Sequence, residues 1–345
     1  MKRRVKGIGM ISGGLDSLLA VAVLAKQGID LLGVHFLNGF TPENLRMRVN
    51  DLASMEDISE KRSSTLSGFT GIPVRAIDVS ADFLSVMKDP PHGFGKNVNP
   101  CIDCRIFLLR KAAEIMRSEG YDFIFTGEVL GQRPMSQHLI AMRSVEKDSG
   151  LAGRLLRPLC AKLLKPTEIE ENGLVDREML LDIQGRSRKR QMNLAEELGV
   201  RGYGAPAGGC ALTDINYARK YSDHVEHSGG RDLTVRDTVL FSTGRHLRLS
   251  DRVKIVVGRN QEENEYFEAK WADHYLAMTP DVPGPTVVIL GDPVQDDFPV
   301  IAAVAARYSD GKKEKTVKVD IERGEEKMEF EAPPASEEDL ALWRI

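Results

Sequence analysis

The sequence predicts an α/β protein whose first domain is a doubly wound parallel sheet and whose second, smaller domain is α+β. Short apolar segments alternate with helical segments through residues 5–200, which is typical of parallel strands covered by helices on both faces. Charged and apolar residues alternate through residues 312–331, which indicates an edge hairpin. A chain of 345 residues is long enough to bury two hydrophobic cores.

The elements of the first domain follow one another in a regular order. Residues 5–11 form a short apolar run followed by glycines, which is typical of a buried strand. Gly28 ends the helical segment that comes next. The further predicted elements are a helix over 17–27, a strand over 31–36, a helix over 43–67, a strand over 73–79, a helix over 105–118, strands over 121–126 and 155–159, and a helix over 186–198.

The second domain is predicted from a change in pattern late in the chain. We assign residues 1–225 to the first domain and residues 232–345 to the second, with Ser228-Gly229-Gly230 as a flexible joint between them. Within the second domain, strands are predicted near residues 247–257 and 286–290.

Charge and composition exclude some classes of protein. The formal net charge is −4, so no overall basic field indicates a nucleic-acid-binding protein, although a local basic face is sufficient for binding. No apolar run approaches the roughly 20 residues that span a bilayer, and the N-terminus does not resemble a secretory signal. We therefore expect a cytoplasmic protein without membrane contact, in which the four cysteines are reduced.

A glycine-rich turn between the first strand and the first helix is the strongest functional signal. It consists of Ser12, Gly13, Gly14, Leu15, Asp16 and Ser17, here called the phosphate loop. Small residues let backbone N–H groups form an anion-binding nest, and the helix N-terminus adds its dipole. Asp16 suits a role in holding Mg²⁺ between phosphates. The Gly-Lys-Ser/Thr ending of the Walker loop is missing, and a plain glycine turn is the alternative interpretation.

Three cysteines form the second signal. Cys101 and Cys104 are spaced as Cys-x-x-Cys just before a predicted helix, and Cys210 follows a glycine-rich loop over residues 202–209. Three thiols without a fourth fit a four-iron four-sulfur cluster with one open iron. Persulfide chemistry, a zinc site completed by Cys160 or a histidine, and simple packing remain alternatives. Cys160 itself is predicted to be a buried small hydrophobic residue.

These motifs resemble a known superfamily. The phosphate loop resembles the PP-loop of ATP pyrophosphatases, which cleave ATP to AMP and pyrophosphate. Asn-Pro-Cys-x-x-Cys over residues 99–104 looks like a motif of tRNA thiolation enzymes in that superfamily. The stretch over residues 126–132, followed by Ser136-Gln137, is similar to the Gly-Glu-x-x-Gly-Gln…Ser-Gln stretch of tRNA 4-thiouridine synthetases. The three-cysteine pattern resembles their cluster-dependent branch.

A second resemblance lies near the C-terminus. Residues 256–265, Val-Val-Gly-Arg-Asn-Gln-Glu-Glu-Asn-Glu, resemble the Gly-Arg-Asn-x-x-x-Asn segment of NFACT-type RNA-binding domains. In the 4-thiouridine family an RNA-binding domain precedes the PP-loop, whereas here the loop begins at residue 12. We therefore expect that this preceding domain is absent and that the NFACT-like segment stands in its place.

The first resemblance implies ATP-dependent tRNA thiolation, in which a uridine carbonyl oxygen is adenylylated and then replaced by sulfur. It implies catalytic roles for Asp16, Cys104 and Cys210, and ATP binding by the phosphate loop with Gly127 and Glu128. ATP, Mg²⁺ and a 4Fe-4S cluster on Cys101, Cys104 and Cys210 are the expected cofactors. Helix capping is the alternative role for Glu128.

The expected partners are tRNA and a sulfur donor, either sulfide or a persulfide carrier. The oligomeric state is left open, with a homodimer as one option. The predicted RNA contacts are Gln132, Arg133, Arg186, Arg188, Lys189 and Arg190. A solvated helix face is the alternative interpretation of the basic run among them. Two other functions stay open: adenylylation of a small molecule, and a non-catalytic adaptor that binds nucleotide and RNA.

Overall fold

A computed structural model describes residues 3–133, 136–203, 209–228 and 232–345. It divides into two compact units. Unit 1 comprises Met1–Pro42 and Ser54–Cys210, and unit 2 comprises Glu43–Ala53 and Ala211–Ile345. Each unit has its own sheet and its own hydrophobic core.

The elements up to residue 198 alternate as the sequence pattern predicts. All of them belong to unit 1 except α2. In chain order they are β1 (Lys6–Met10), α1 (Leu15–Ala25), β2 (Asp30–Leu37), α2 (Pro42–Asn50), α3 (Met55–Thr70), β3 (Val74–Asp78), α4 (Ser80–Lys88), α5 (Cys101–Glu119), β4 (Phe123–Thr126), α6 (Leu139–Asp148), β5 (Leu155–Leu156), α7 (Glu168–Glu171) and α8 (Lys189–Leu198).

Unit 1 is built on a five-stranded sheet with the order β3-β2-β1-β4-β5, and every neighbouring pair is parallel. One face packs against α1, α3 and α8 through residues such as Leu19, Leu66 and Ala195. The other face packs against α5 and α6 through residues such as Leu109 and Val145. Because helices cover both faces, the predicted doubly wound parallel sheet is confirmed.

Three predicted helix boundaries were wrong. The single helix over 43–67 is two helices, because Leu52 adopts a left-handed φ of 50° and Ser54 begins α3 with a capping box to Asp57. Helix α5 begins at Cys101 rather than at residue 105, so both cysteines of the Cys-x-x-Cys pair lie in its first turn. Helix α8 begins at Lys189 rather than at residue 186.

Unit 2 contains a six-stranded sheet with the order β11-β10-β8-β9-β7-β6, and its neighbouring strands are antiparallel. Its elements after residue 210 are α9 (Ile215–His227), α10 (Val235–Leu240), β6 (Arg245–Arg248), β7 (Val253–Val257), α11 (Gln261–Lys270), β8 (Tyr275–Met278), β9 (Val287–Gly291), α12 (Asp297–Tyr308), β10 (Val317–Arg323), β11 (Glu326–Ala332) and α13 (Glu337–Trp343). Helix α12 packs on one face through Ile301 and Ala305. Strands β10 and β11 form the predicted hairpin, and β11 lies at the sheet edge.

The division between the units differs from the predicted one between residues 225 and 232. Helix α9 belongs to unit 2, because Tyr217 Oη donates a 2.7 Å hydrogen bond to the carbonyl of Thr238. Asp223 of the same helix accepts hydrogen bonds from Arg248 and Lys254 of the sheet. Gly229 and Gly230 of the predicted joint lie outside the described residues.

Candidate functional site

The predicted site residues gather at the carboxyl edge of the parallel sheet. The phosphate loop follows β1, Gly127 and Glu128 follow β4, and Asn38 follows β2. The strand order reverses between β1 and β4, since β2 and β3 lie on one side and β5 lies on the other. In doubly wound sheets, ligands bind outside the carboxyl ends of the strands at such a reversal.

The phosphate loop is held by its own hydroxyl groups. Gly13 has a φ of +80°, which glycine adopts without the steric cost that other residues meet. Ser17 Oγ donates a 2.8 Å hydrogen bond to the carbonyl of Gly14, and the Gly14 N–H donates to Ser12 Oγ over 3.3 Å. Helix α1 begins immediately afterwards, and no side chain caps it. Its first N–H groups and its dipole therefore favour an anion at this point.

One carboxylate oxygen of Asp16 accepts a hydrogen bond from the protein, and the other has no hydrogen-bond partner. Its Oδ2 accepts a 2.7 Å hydrogen bond from Gln132 Nε2 and lies 3.7 Å from Arg188. Its Oδ1 is buried and makes no hydrogen bond. An orphaned carboxylate oxygen beside a phosphate-binding turn fits the hard oxygen ligation that Mg²⁺ prefers, so the residues present fit this ion.

Gln191 is a site residue that the sequence analysis missed. It is fully buried on α8, and its Nε2 donates a 3.0 Å hydrogen bond to Gln132 Oε1. Gln132 therefore stands between Gln191 and Asp16, and it is itself only 9% exposed. We predicted Gln132 as an RNA contact, but its side-chain amide is committed to this chain of hydrogen bonds. A glutamine on a polar helix face gives no sequence signal of such a role.

Gly127 allows the loop after β4 to lie directly against the phosphate loop. A Cβ added at this position would lie 2.5 Å from the carbonyl carbon and oxygen of Asp16, and 2.6 Å from the nitrogen of Ser17. These are backbone atoms, which cannot move aside as a flexible side chain can. The backbone at Gly127 therefore lies directly against the backbone of the phosphate loop.

Glu128 is buried among cations. Its carboxylate lies 2.7 Å from Arg105 and 3.0 Å from Arg157, and it accepts a 3.1 Å hydrogen bond from Thr126. Although burial alone would raise the pKa of Glu128, the two arginines lower it below its usual value. The side chain fastens the end of β4 to α5 and to the segment after β5.

The three predicted cysteines lie close enough to influence one another. Burial raises the pKa of the Cys104 thiol to about 12, and the neighbouring Cys210 and Cys101 sulfurs add to the shift. Asn38 Nδ2 lies 3.8 Å from Cys104 Sγ, and Cys101 Sγ donates to Asn99 Oδ1 over 2.9 Å. The sheet edge and the first turn of α5 therefore bring thiols together from two distant parts of the sequence.

The three predicted cluster ligands have the right chemistry, but in the described residues they are not arranged as a metal site. Cys101, Cys104 and Cys210 are all thiols, and three such ligands fit an iron–sulfur cluster with one open iron. In the described part of the chain, no three His, Cys, Asp or Glu side chains are arranged to hold a metal ion. Cys160 lies buried apart from them and donates to the carbonyl of Glu128 over 3.3 Å, as expected for a packed cysteine.

Arg133 connects the phosphate loop electrostatically to the cysteines. Loss of solvation lowers its pKa, and so do the neighbouring Arg105 and Arg188, whereas Asp16 and Cys101 raise it. One guanidinium therefore interacts with both ends of the candidate site. Its position favours contact with the polyphosphate or with the nucleotide that enters.

The predicted basic run divides into two parts. Arg186, Lys189 and Arg190 are exposed, and Arg190 forms a 2.6 Å ion pair with Asp182. Arg188 is half-buried and pairs with Asp16. Arg188 thus lies next to the phosphate loop, the other three side chains are exposed, and RNA contact by the four residues stays a prediction.

Two family models match the chain. Residues 4–163 match the model described as thiamine biosynthesis protein (ThiI), and residues 244–344 match the NFACT protein RNA binding domain. The first match covers the phosphate loop, the Cys-x-x-Cys pair, Gly127 and Glu128. The second covers the Gly-Arg-Asn segment.

Curated relatives include several tRNA-specific 2-thiouridylases named MnmA. That of Cutibacterium acnes is 30% identical over 131 residues, which is 36% of this chain and 34% of the relative. That of Corynebacterium kroppenstedtii is 34% identical over 97 residues, which is 27% of this chain and 26% of the relative. That of Acidothermus cellulolyticus is 29% identical over 168 residues, or 46% and 45% of the two chains. The matches thus span between about a quarter and a half of these relatives' lengths.

Solved structures with similarity include a 4-thiouridine synthetase–RNA complex with bound ATP. It is 21% identical, covers 57% of this chain and 52% of its own, and has a TM-score of 0.33. The C-terminal part of the fibronectin/fibrinogen-binding protein from Streptococcus suis is 18% identical, covers 71% and 90%, and has a TM-score of 0.27. The two family models thus match different parts of the chain: residues 4–163 are similar to the ThiI family, and residues 244–344 are similar to the NFACT protein RNA binding domain.

Proposed function

We propose that the chain is an ATP-dependent tRNA sulfurtransferase that replaces a uridine carbonyl oxygen with sulfur. The observation that carries this proposal is the shared sheet edge: the phosphate loop follows β1, and Asn38, which follows β2, contacts Cys104 Sγ at 3.8 Å. The ThiI match over residues 4–163 and the thiouridylase relatives support it. The NFACT-type domain supports RNA as the substrate class.

ATP binds with its β- and γ-phosphates in the phosphate loop. The first N–H groups of α1 and the Ser12 hydroxyl donate to phosphate oxygens, and the Ser17 hydroxyl does so once it turns away from the Gly14 carbonyl that it contacts in this structure. Asp16 Oδ1 is the available ligand for Mg²⁺, because Oδ2 is already held by Gln132. Arg188 and Arg133 add positive charge on the same side, where the leaving pyrophosphate accumulates negative charge.

The reaction has two displacement steps. The uridine carbonyl oxygen attacks the α-phosphorus of ATP, and the bond from that phosphorus to the pyrophosphate oxygen breaks. A sulfur nucleophile then attacks the activated carbon, and the carbon–oxygen bond breaks as AMP leaves. When sulfide is the donor, no net oxidation occurs. When a persulfide carrier is the donor, its outer sulfur attacks the carbon to form a mixed disulfide, and a second cysteine thiol breaks the S–S bond, which releases the thiouridine and leaves a disulfide between the two cysteines.

Cys104 and Cys210 are the proposed sulfur-handling residues, with Cys101 beside them. A 4Fe-4S cluster held by Cys101, Cys104 and Cys210 would supply an iron without a protein ligand, at which inorganic sulfide can bind. Glu128 acts on this region indirectly, since it holds Arg105, the residue next to Cys104.

The test is the nucleoside composition of tRNA after incubation with the protein, ATP, Mg²⁺ and sulfide. We expect thiouridine and an equal amount of pyrophosphate, and neither product with Asp16→Asn. ATP cleavage that needs no tRNA and leaves no thiouridine would instead assign the chain to small-molecule adenylylation. Tight tRNA binding without ATP cleavage would assign it to the adaptor class.

Metal content decides how the cysteines act. Protein purified without oxygen is expected to contain about four irons and four sulfides per chain, lost in Cys101→Ala, Cys104→Ala and Cys210→Ala. Cys160→Ala is the matched control, because this thiol is buried and donates to a backbone carbonyl, and it should keep the iron. Zinc at about one per chain, or no metal, would favour the zinc or persulfide alternative.

A further inference from the structure

A large cavity lies in unit 2, and the phosphate loop takes no part in it. It has a volume of about 930 Å³, and all of its lining residues belong to unit 2. Six basic side chains line it, namely Lys220, Arg245, Arg259, Arg307, Lys312 and Arg344, against one side-chain carboxylate, Glu337. The whole chain carries a net charge of −4, so this concentration of positive charge is local.

The single carboxylate does not neutralise the cavity. Glu337 is already shared between Arg307, at 3.0 Å, and Arg344, at 3.4 Å. Arg259 pairs with the buried Glu263 of α11, whereas Arg245 lies over the ring of Tyr308 at 5.1 Å. A polyanion entering the cavity therefore meets an excess of positive charge.

The cavity also offers backbone groups and a stacking surface. Helix α11 begins at its wall, where Asn260 caps the N-terminus by accepting from the Glu263 N–H over 3.0 Å. Gly258 and Gly284 also contribute atoms to the wall. The Arg245–Tyr308 pair presents stacked planar groups of the kind on which nucleobases stack.

One wall comes from a helix that neither family model covers. Asn216 and Lys220 of α9 line the cavity four residues apart, and α9 lies between the matched ranges 4–163 and 244–344. Lys220 Nζ donates to the carbonyls of Phe241, Thr243 and Gly244 at 3.1, 3.2 and 3.4 Å. Three neutral carbonyls fix the ammonium in place without cancelling its charge.

We propose that this cavity binds the phosphate backbone of the RNA substrate, and that α9 completes it by supplying Lys220. The inference rests on the proposed tRNA substrate and assigns the surface that holds it. RNA is the occupant because an NFACT-type RNA-binding domain forms the other walls and because the lining matches a chain of phosphates with bases.

The experiment measures the dissociation constant of the full-length protein for a tRNA transcript across a range of salt concentrations. Lys220→Met and Arg245→Ala are each expected to raise it about tenfold. Affinity falls as salt concentration increases, and the slope of log affinity against log salt depends on the number of phosphate contacts. Each variant should make this slope shallower by about 0.7–0.9, which is the change expected when one phosphate contact is lost. Lys312→Ala, an exposed variant, keeps the test valid if Lys220→Met does not fold.

Matched controls exist in the same unit. Arg323 lies over Tyr275 at 4.1 Å, away from the cavity, so Arg323→Ala removes an equivalent arginine–tyrosine pair. Lys318→Met, on β10, matches Lys220→Met in chemistry. Both controls should bind tRNA within about twofold of the unaltered protein, a difference well under 1 kcal/mol.

The outcomes separate this inference from the proposed function. If the cavity variants bind tRNA as the unaltered protein does, while that protein makes thiouridine, the cavity assignment is wrong and the function stands. If no thiouridine forms but the cavity variants lose affinity and salt slope, the function is wrong and the cavity assignment stands. Displacement of bound tRNA by oligouridylate supports an RNA site; displacement by polyglutamate alone would overturn it in favour of an acidic protein partner.

Discussion

Gly127 shows how one missing side chain shapes the candidate site. It lets the loop after β4 touch the backbone of Asp16 and Ser17, so the phosphate loop is supported from behind by main-chain atoms. A methyl group there must push either the phosphate loop or the end of β4 away. A substitution of Gly127 by a larger residue therefore affects both ATP binding and the stability of the fold.

We expect Gly127→Ala to weaken ATP binding at least tenfold and to lower the free energy of unfolding by about 1–3 kcal/mol. ATP titration and urea unfolding measure the two effects. Gly68→Ala is the matched control, because this glycine lies within α3 with nothing within 4 Å of an added Cβ. The control should be neutral or stabilising by about 0.5–1 kcal/mol. If the two variants had the same ATP affinity and the same free energy of unfolding, the close backbone contact at Gly127 would be contradicted.

Lys220 makes stability depend on pH in an unusual direction. Burial lowers the pKa of its ammonium group to about 8, and the nearby Arg259 and Lys254 add to this shift. The folded protein therefore loses the proton near pH 8, whereas the unfolded chain keeps it until about 10.5. Between these values the unfolded state binds more protons, so stability rises with pH.

The measurement is urea unfolding of the unaltered protein and of Lys220→Met across this range. The difference in unfolding free energy should be flat below about pH 8 and should then rise in favour of the unaltered protein, by at most about 1.4 kcal/mol per pH unit. Because other groups titrate equally in both proteins, the difference isolates Lys220. A difference that falls as pH increases through this window would contradict the assignment.

At the scale of elements, Glu128 joins three parts of unit 1. It follows β4, and it pairs with Arg105 of α5 and with Arg157 after β5. Arg157 is 3% exposed at its side chain and also reaches Glu146 of α6 over 2.9 Å. Removing the charge of Glu128 leaves a buried guanidinium with half of its counter-charge.

Glu128→Gln should lower the free energy of unfolding by about 3 kcal/mol, since breaking one partner of a buried ion pair leaves the other uncompensated. Chemical denaturation measures the loss. The exposed pair of Arg75 and Glu119 provides the control, and Glu119→Gln should cost less than about 1 kcal/mol. If both variants lose the same amount, the Glu128 network contributes no more than a surface ion pair.

Local patterns predicted the elements whose residues carry a strong period or a clear stop signal. The apolar run before the phosphate loop became β1, and the alternating tail became the β10–β11 hairpin. The break between α2 and α3 was missed, because it depends on one left-handed residue and a short capping box inside a helical pattern. The predicted start of α5 was too late in the sequence, because Pro100 and the two cysteines show no helical periodicity.

The sequence predicted which chemical groups form the site, but it predicted only some of the side-chain contacts between them. The phosphate loop and the three cysteines carry motifs, so the sequence identifies them. The hydrogen bond from Gln191 to Gln132, and the turning of Arg188 toward Asp16, arise from tertiary packing of α8 beside the sheet. Neither contact leaves a trace in local spacing, so the sequence predicted RNA contact for Gln132 and Arg188 but not these partners.

At the scale of the whole molecule, unit 2 is assembled from two separated parts of the sequence. Residues 43–53 belong to it together with residues 211–345. Leu45 and Val49 of α2 are buried, and Arg48 contributes to the electrostatic surroundings of Tyr266 on α11. A fragment of residues 211–345 alone therefore lacks a piece of its own unit.

We expect that fragment to unfold at a lower temperature than the same fragment with residues 42–53 joined to it by a flexible linker. Restored burial of Leu45 and Val49 should contribute about 1.5–3 kcal/mol for each side chain. Thermal unfolding followed by circular dichroism compares the two. A joined segment carrying Leu45→Ser and Val49→Ser is the control, and equal melting temperatures for all three fragments would show that α2 adds nothing to unit 2.

The split composition of unit 2 has a consequence for synthesis on the ribosome. Helix α2 is complete once residue 50 has been made, but the last strand of its unit ends at residue 332. At roughly 5–20 residues per second, translation takes roughly 15–60 s to cover that distance. During this interval the nascent chain carries an apolar helix face whose covering surface has not yet been made. Chaperone occupancy of the growing polypeptide should accordingly begin at α2 and end only as the C-terminal sheet emerges.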